Sequence, residues 1–209
     1  MIDKFCTYLV NKMKKTMTDI DEERAEIIYY GLQNIIGEFP KFFILLFLSY
    51  LLGIWQLTIF TFFAILPYRA VSGGFHLHTH IGCIIATTIM YCGTAFLSKY
   101  IVFEPHYIQY ILTAVVWVFG MVMVHLYAPA DTENVPILRK KDRKVKRILS
   151  YIVLTLMLGI SLFVPNQVVA NVLLFGALIQ TCTITRFAYT LTKNQYGYEI
   201  YETQKESNI

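Results

Sequence analysis

A short polar stretch between two apolar blocks carries most of the residues that could do chemistry. It reads Tyr68-Arg-Ala-Val-Ser-Gly-Gly-Phe-His76-Leu-His78-Thr-His80-Ile-Gly-Cys83, and it holds three of the five histidines of the chain. Ionisable groups beside transmembrane helices are costly and usually functional. This stretch is therefore the first candidate for a functional site.

A cysteine near a histidine predicts nucleophilic catalysis, because the thiolate is the nucleophile and an imidazole can take its proton. Cys83 lies just after the expected start of a helix, for which Thr79 is a suitable N-cap. His76 precedes Cys83 by seven residues, which along one continuous helix is roughly 10 Å and too far for a hydrogen bond. The chain must then break between them, and the glycines of the stretch permit this. His80, three residues before Cys83, stays open as an alternative base.

Two other interpretations fit the same residues. His76, His78, His80 and Cys83 offer three imidazoles and a thiolate, which together could hold zinc. No carboxylate lies near them, and the HExxH spacing of metalloproteases is absent. The third interpretation is a polar loop at the membrane edge with an ordinary buried cysteine. Residue types alone do not choose among the three.

Composition places this stretch in a membrane protein. Hydrophobic residues make up 56% of the 209 residues and charged residues 15%, whereas a soluble domain has about 45–50% and about 25%. The apolar residues gather in long blocks, as in membrane-spanning chains. The six blocks span residues 26–53, 56–70, 81–103, 107–127, 148–164 and 168–191.

The blocks predict an all-α, polytopic membrane protein with about six transmembrane helices, the first kinked at Pro40 and the second short. Basic residues cluster before residue 25 and between residues 129 and 147. Both clusters should face the cytoplasm, so an even number of spans separates them. We expect a cytoplasmic or interfacial segment over 1–25, one membrane-embedded domain over 26–193, and a polar cytoplasmic tail over 194–209.

Further residues could contact a substrate. Arg69 could bind a carboxylate, and the backbone N–H groups of Gly73 and Gly74 could form an oxyanion hole. The structural alternative for Arg69 is a helix-end anchor. The basic loop could bind an acidic peptide or anionic lipid, or it could act only as a topology signal. The first three basic residues of that loop are Arg139, Lys140 and Lys141.

Two motifs stand in order along the chain: Arg69-xxx-Gly73-Gly74-x-His76-x6-Cys83, and Tyr127-Ala-Pro129-Ala-Asp-Thr-Glu-Asn-Val-Pro136 before a basic run. With the order of apolar blocks, they resemble the accessory gene regulator protein B (AgrB) family of Gram-positive peptide quorum sensing. The resemblance covers roughly residues 1–195. The chain lacks the Arg-Arg pair of some members, which shifts the expected recognition of an acidic propeptide tail toward the basic loop.

The resemblance implies a membrane-embedded cysteine endopeptidase. Such an enzyme cuts an AgrD-type propeptide on the C-terminal side of its future ring, through a thioester that a thiolactone or lactone closure resolves. His76 and Cys83 match the catalytic pair, and no role carries over to His78 or His80. It further implies a homodimer in the lipid of the bacterial cell membrane with its active site at the cytoplasmic face, and no metal, cofactor or nucleic-acid partner.

The competing class is a non-enzymatic membrane protein, either a small exporter or a metal-binding protein with His and Cys ligands. A carrier predicts polar or ionisable pathway residues deep within several helices. The middle of the apolar blocks is almost free of charged residues. This distribution favours the enzyme over the carrier.

The two site chemistries differ in their response to metal removal. We expect chelators to leave precursor cleavage unchanged, because a cysteine–histidine mechanism needs no metal. Cleavage in isolated membranes, with and without a chelator, measures this. Loss of cleavage on chelation, with recovery on added zinc, would favour the zinc site instead.

Overall fold

The computed structural model describes residues 2–16, 21–77, 79–133 and 136–207, and in these ranges its regular elements are helices, with no strand. The all-α class predicted from the apolar blocks is confirmed. The helices are α1 Ile2–Thr16, α2 Glu22–Leu51, α3 Trp55–Ser72, α4 His80–Tyr100, α5 Tyr107–Tyr127, α6 Lys140–Phe163, α7 Gln167–Thr183, α8 Arg186–Leu191 and α9 Gly197–Ser207.

Among the described residues, three helices are long and apolar enough to cross a membrane, namely most of α4 and all of α5 and α6. Two shorter apolar helical stretches span Phe39–Leu51 and Gln167–Thr183. The long helices leave large apolar side chains exposed on their outer faces, for example Ile89, Val115 and Leu156. Such a surface suits lipid rather than water. The chain is therefore a membrane protein, while the number of passes stays a prediction.

The first two apolar blocks form the helices α2 and α3. Helix α2 continues through Pro40 without interruption, and the predicted kink there stays a prediction. Helix α3 has 18 residues and ends at Ser72, which makes it longer than the predicted block. Its length of roughly 27 Å approaches the hydrocarbon thickness of about 30 Å.

The last two apolar blocks differ from their predicted bounds. Helix α6 begins at Lys140, because the basic run is itself helical and forms its first turns. The block over 168–191 is not one helix: α7 ends at Thr183, and α8 starts at Arg186. Thr185 accepts a hydrogen bond from the N–H of Ala188 and caps α8. Its hydroxyl also donates to the carbonyl of Cys182 at 2.8 Å, and side chains that bind backbone groups in this way compete with a continuing helix.

Helix α7 is the centre of the bundle and contacts α3, α4, α5 and α6. Close approach depends on small residues, since a Cβ at Gly176 would lie 2.8 Å from Ile65 and 3.0 Å from Met157. Buried polar side chains on α7 bind neighbouring backbone: Asn171 donates to the carbonyl of Ile101 at 2.7 Å. In a membrane such internal hydrogen bonds are needed because lipid offers none.

Two terminal segments pack onto the bundle. Helix α1 lies against α2, with Cys6 and Val10 buried. At the other end, Tyr196 is buried just before α9. The interfacial role of residues 1–25, the cytoplasmic tail over 194–209 and the boundaries of the membrane domain stay predictions.

The six-span arrangement makes a testable prediction about sidedness. In a variant without native cysteines, single cysteines at His76, Glu133 and Thr203 should resist an impermeant thiol reagent in intact cells. Cysteines at Glu104 and Pro165 should react, because the six-span arrangement places their turns on the outer side of the membrane. All five side chains are exposed, so burial does not protect them.

Permeabilised cells are the control for this experiment, and there all five positions should react. Labelling of the cysteine at His76 in intact cells, with Glu133 protected, would contradict the arrangement.

Candidate active site

Cys83 lies in the first turn of α4. The side chain of Thr79 accepts a hydrogen bond from the N–H of Gly82 at 3.1 Å, and the N–H of Cys83 donates to the carbonyl of Thr79 at 3.0 Å. The predicted N-cap is therefore confirmed. The thiol is half-buried beside the positive end of the helix dipole, where negative charge is favoured.

His76 lies outside both neighbouring helices, in the irregular stretch that follows α3, and its side chain is exposed. His76 and Cys83 do not lie on one continuous helix, which confirms the predicted break. The separation of roughly 10 Å expected along one helix therefore does not apply to this pair. His78 lies outside the described residues, as does the side chain of His80. The choice of His76 over His80 as the base therefore stays a prediction.

Lys41 of α2 contacts the candidate nucleophile directly. Its ammonium nitrogen Nζ donates to Sγ of Cys83 at 3.3 Å. The sequence analysis gave Lys41 no role. A signal was present, because Lys41 is the one charged residue between Phe39 and Leu51.

Backbone pairing joins the two sequence motifs. The N–H of Gly74 donates to the carbonyl of Ala130 at 2.9 Å, and the N–H of Ala130 donates to the carbonyl of Ser72 at 2.8 Å. Gly73 has a φ of +74°, and a Cβ there would collide with the carbonyl oxygen of Ala130. Glycine is thus needed both for its conformation and for the close approach of the two loops.

This pairing affects the predicted oxyanion hole. The N–H of Gly73 donates to the carbonyl of Arg69 at 3.0 Å, and that of Gly74 is bound to Ala130. Both N–H groups are therefore occupied within the protein, and neither is offered to a substrate oxygen in this conformation. The pair shapes the loop, and direct substrate contact by it stays a prediction.

Arg69 anchors the stretch that leads to His76. Its NH1 donates to the hydroxyl of Thr183 at 3.0 Å, and its NH2 donates to the carbonyl of Phe75 at 2.7 Å. A Cβ at Gly74 would collide with NH1 of Arg69, so the guanidinium packs directly on the glycine. These bonds support Arg69 as an anchor at the end of α3. Its binding of a substrate carboxylate stays a prediction.

Gln180 of α7 is a site residue that the sequence interpretation missed. Its Nε2 donates to the hydroxyl of Ser72 at 3.0 Å and to the carbonyl of Gly73 at 2.8 Å. The side chain is fully buried. A polar amide within an apolar block was the available signal. Gln180 fixes the end of α3 to the central helix.

The second motif is held by two of the basic residues. Oδ2 of the buried Asp131 accepts from Arg143 NH1 at 3.0 Å and from the N–H of Ile137 at 2.9 Å. Arg147 donates from Nε to the carbonyl of Ala128 at 2.7 Å. Of the other basic residues in this run, Lys144 is exposed and Lys146 is half-buried. The predicted contact residues Arg139, Lys140 and Lys141 are all exposed.

Tyrosines of the C-terminal segment cover this motif. Tyr189 donates from its hydroxyl to the carbonyl of Asp131 at 3.0 Å, and Tyr196 donates to the carbonyl of Ile184 at 2.9 Å. The rings of Tyr189 and Tyr196 stack at 4.1 Å. Burial raises the pKa of both phenols well above the usual value. Both phenols therefore stay protonated and able to donate.

A metal site lacks support in the part of the chain that the structure describes, where no group of three His, Cys, Asp or Glu side chains could hold an ion. His78 and the side chain of His80 lie outside that part. The zinc alternative therefore stays an untested interpretation of the sequence.

The family model and the similar proteins found by comparison agree on one family. The family model described as Accessory gene regulator B matches residues 6–184. An AgrB-like protein of Listeria welshimeri is 29% identical over 183 residues, 87% of each chain. Accessory gene regulator protein B of Staphylococcus aureus is 27% identical over 188 residues, covering 88% of this chain and 91% of its own. No solved structure matches the chain.

The contact between Gly73 and Ala130 predicts a site-specific loss of stability. Gly73→Ala should cost about 1 to 3 kcal/mol from the positive φ alone, with the collision in addition. Gly159→Ala in α6 is the matched control, because nothing lies within 4 Å of its added Cβ. Thermal unfolding of both variants in detergent checks this. Equal midpoints would contradict the assigned role of Gly73.

Proposed function

The chain belongs to the accessory gene regulator B family, and on this premise we propose that it is a membrane-embedded cysteine endopeptidase with Cys83 as nucleophile and His76 as base. One observation carries the proposal: Cys83 occupies the capped first turn of α4, directly after the loop that carries His76. Arg69 and the backbone of Ala130 hold that loop in place.

The first half of the reaction makes a thioester. The imidazole of His76 takes the proton of the Cys83 thiol, and the sulfur attacks a peptide carbonyl of the precursor. The C–N bond then breaks, and the leaving amine receives the proton from the imidazolium. The N-terminal part of the precursor remains bound to Cys83 as an acyl-enzyme.

The second half closes a ring. A cysteine or serine side chain within the bound peptide attacks the thioester carbonyl, and Cys83 leaves with the proton. Exchange of one thioester for another is nearly balanced in energy, so the closure depends on keeping water away from the acyl-enzyme. A half-buried sulfur at the edge of a membrane-embedded bundle favours this outcome.

The proposed substrate is an AgrD-type propeptide of quorum sensing. Its acidic tail would meet the exposed basic side chains that begin α6, at the end of the bundle where Ala130 pairs with Gly73 and Gly74. Charge complementarity supports this orientation and would speed the encounter. We place this end at the cytoplasmic face, because the precursor is made in the cytoplasm and the basic residues favour that side.

The proposed assembly is a homodimer within the lipid of the cell membrane. The support is the family membership, together with the broad apolar outer surface of α4, α5 and α6. Neither peptide cleavage nor ring closure by this route needs a cofactor.

Removal of the nucleophile should abolish processing without loss of the protein. Cys83→Ala and Cys83→Ser should lower precursor cleavage in membranes to background, whereas Cys92→Ala and Cys182→Ala should retain most of it. The two control cysteines lie on α4 and α7, outside the loop and first turn that form the site. Full cleavage by Cys83→Ala, at normal protein level, would overturn the proposal.

The same assay tests the base. His76→Ala should lose as much activity as Cys83→Ala, and the double variant should be no worse than either, because members of one catalytic unit are not additive. His80→Ala is the matched control in the same stretch. Activity in His76→Ala, with none in His80→Ala, would assign the base to His80.

A further inference from the structure

Lys41 is an ionisable group in an apolar helical stretch that the two sequence motifs do not include. It is the one charged residue within Phe39–Leu51, and it is half-buried. A charge at such a position is costly and marks function more often than not. Its ammonium donates to Sγ of Cys83 at 3.3 Å, so α2 places a cation beside the atom proposed to react.

Four other ionisable groups that the structure describes at this end of the bundle are committed elsewhere or lie at the surface. Arg69 on α3 donates to Thr183 and to the carbonyl of Phe75. The phenol of Tyr68 pairs with the hydroxyl of Thr181 on α7. His76 and the thiol of Cys182 are exposed. Among the side chains that the structure describes, Lys41 is the cation in contact with the sulfur.

We propose that Lys41 is a third catalytic residue, which holds the sulfur of Cys83 in its thiolate form through a charge-assisted hydrogen bond; the inference rests on the proposed function. The S–H bond breaks, the proton passes to the imidazole of His76, and the ammonium keeps its three hydrogens while it donates one to the anionic sulfur. When the sulfur attacks the carbonyl, the negative charge moves to the carbonyl oxygen. Before that attack, the ammonium of Lys41 stabilises the thiolate relative to the neutral thiol, because only the thiolate carries a negative charge.

Thiol reactivity tests this without any substrate. In a variant whose only cysteine is Cys83, Lys41→Met should lower the rate of alkylation by a neutral maleimide at neutral pH roughly tenfold, the effect of one hydrogen bond to a charged group. Lys41→Arg should retain most of the rate, because it keeps the charge. The deficit of Lys41→Met should shrink at alkaline pH, where the thiolate forms without help.

Lys99→Met is the matched control, since Lys99 lies in the last turn of α4, at the opposite end from Cys83. Its alkylation rate should equal that of the parent. Equal rates for Lys41→Met and the parent would overturn the proposal, and so would equal losses in the Met and Arg variants. If Lys41→Met does not accumulate, Lys41→Gln takes its place in the same comparison with Lys41→Arg.

Precursor cleavage separates this inference from the proposed function. If Cys83→Ala cleaves normally, the endopeptidase itself is wrong. A second outcome is that Cys83→Ala is inactive, while Lys41→Met cleaves the precursor like the parent and its Cys83 is alkylated at the parent rate. The endopeptidase then stands, and only the role of Lys41 fails. Loss in Lys41→Met, with recovery in Lys41→Arg, supports both.

Discussion

The backbone pairing between Gly73–Gly74 and Ala130 is the constraint on which the rest of the site depends. It joins the end of α3 to the segment before α6, and it leaves His76 at the start of an irregular loop. Two glycines with positive φ make the approach possible. Arg69 of α3 donates to Thr183 of α7, and Gln180 of α7 donates to the carbonyl of Gly73, so both tie the same junction to α7.

A second set of contacts surrounds this junction. The buried carboxylate of Asp131 binds Arg143, and the phenol of Tyr189 binds the carbonyl of Asp131. A buried ion pair is weak evidence for stability, but it fixes one arrangement when other hydrogen bonds accompany it. Here the arrangement divides the basic run: Arg143 and Arg147 bind groups of the fold, and Arg139, Lys140 and Lys141 remain exposed.

Local features were predictable from the sequence, and non-local ones were not. The cap at Thr79, the bounds of α5 and the break between His76 and Cys83 follow from spacing, capping chemistry and apolar periodicity over a few residues. The division of the last apolar block was missed, since the cap at Thr185 outweighed the apolar character of the block. The contacts of Lys41 with Cys83 and of Gln180 with Gly73 join distant parts of the chain. No local pattern encodes such pairs, although an isolated polar residue in an apolar block marks where to look.

The shared backbone pairing also bears on how such proteins can diverge and be recombined. The conformation of each loop depends on the other, because the carbonyl of Ala130 fills the space that any side chain at residue 73 would occupy. A chimera that exchanges the segment around Ala130 with that of a relative, and leaves residues 69–76 behind, would combine two surfaces that were never selected together. The natural unit of exchange is therefore the pair of loops, although the chain separates them by two whole helices.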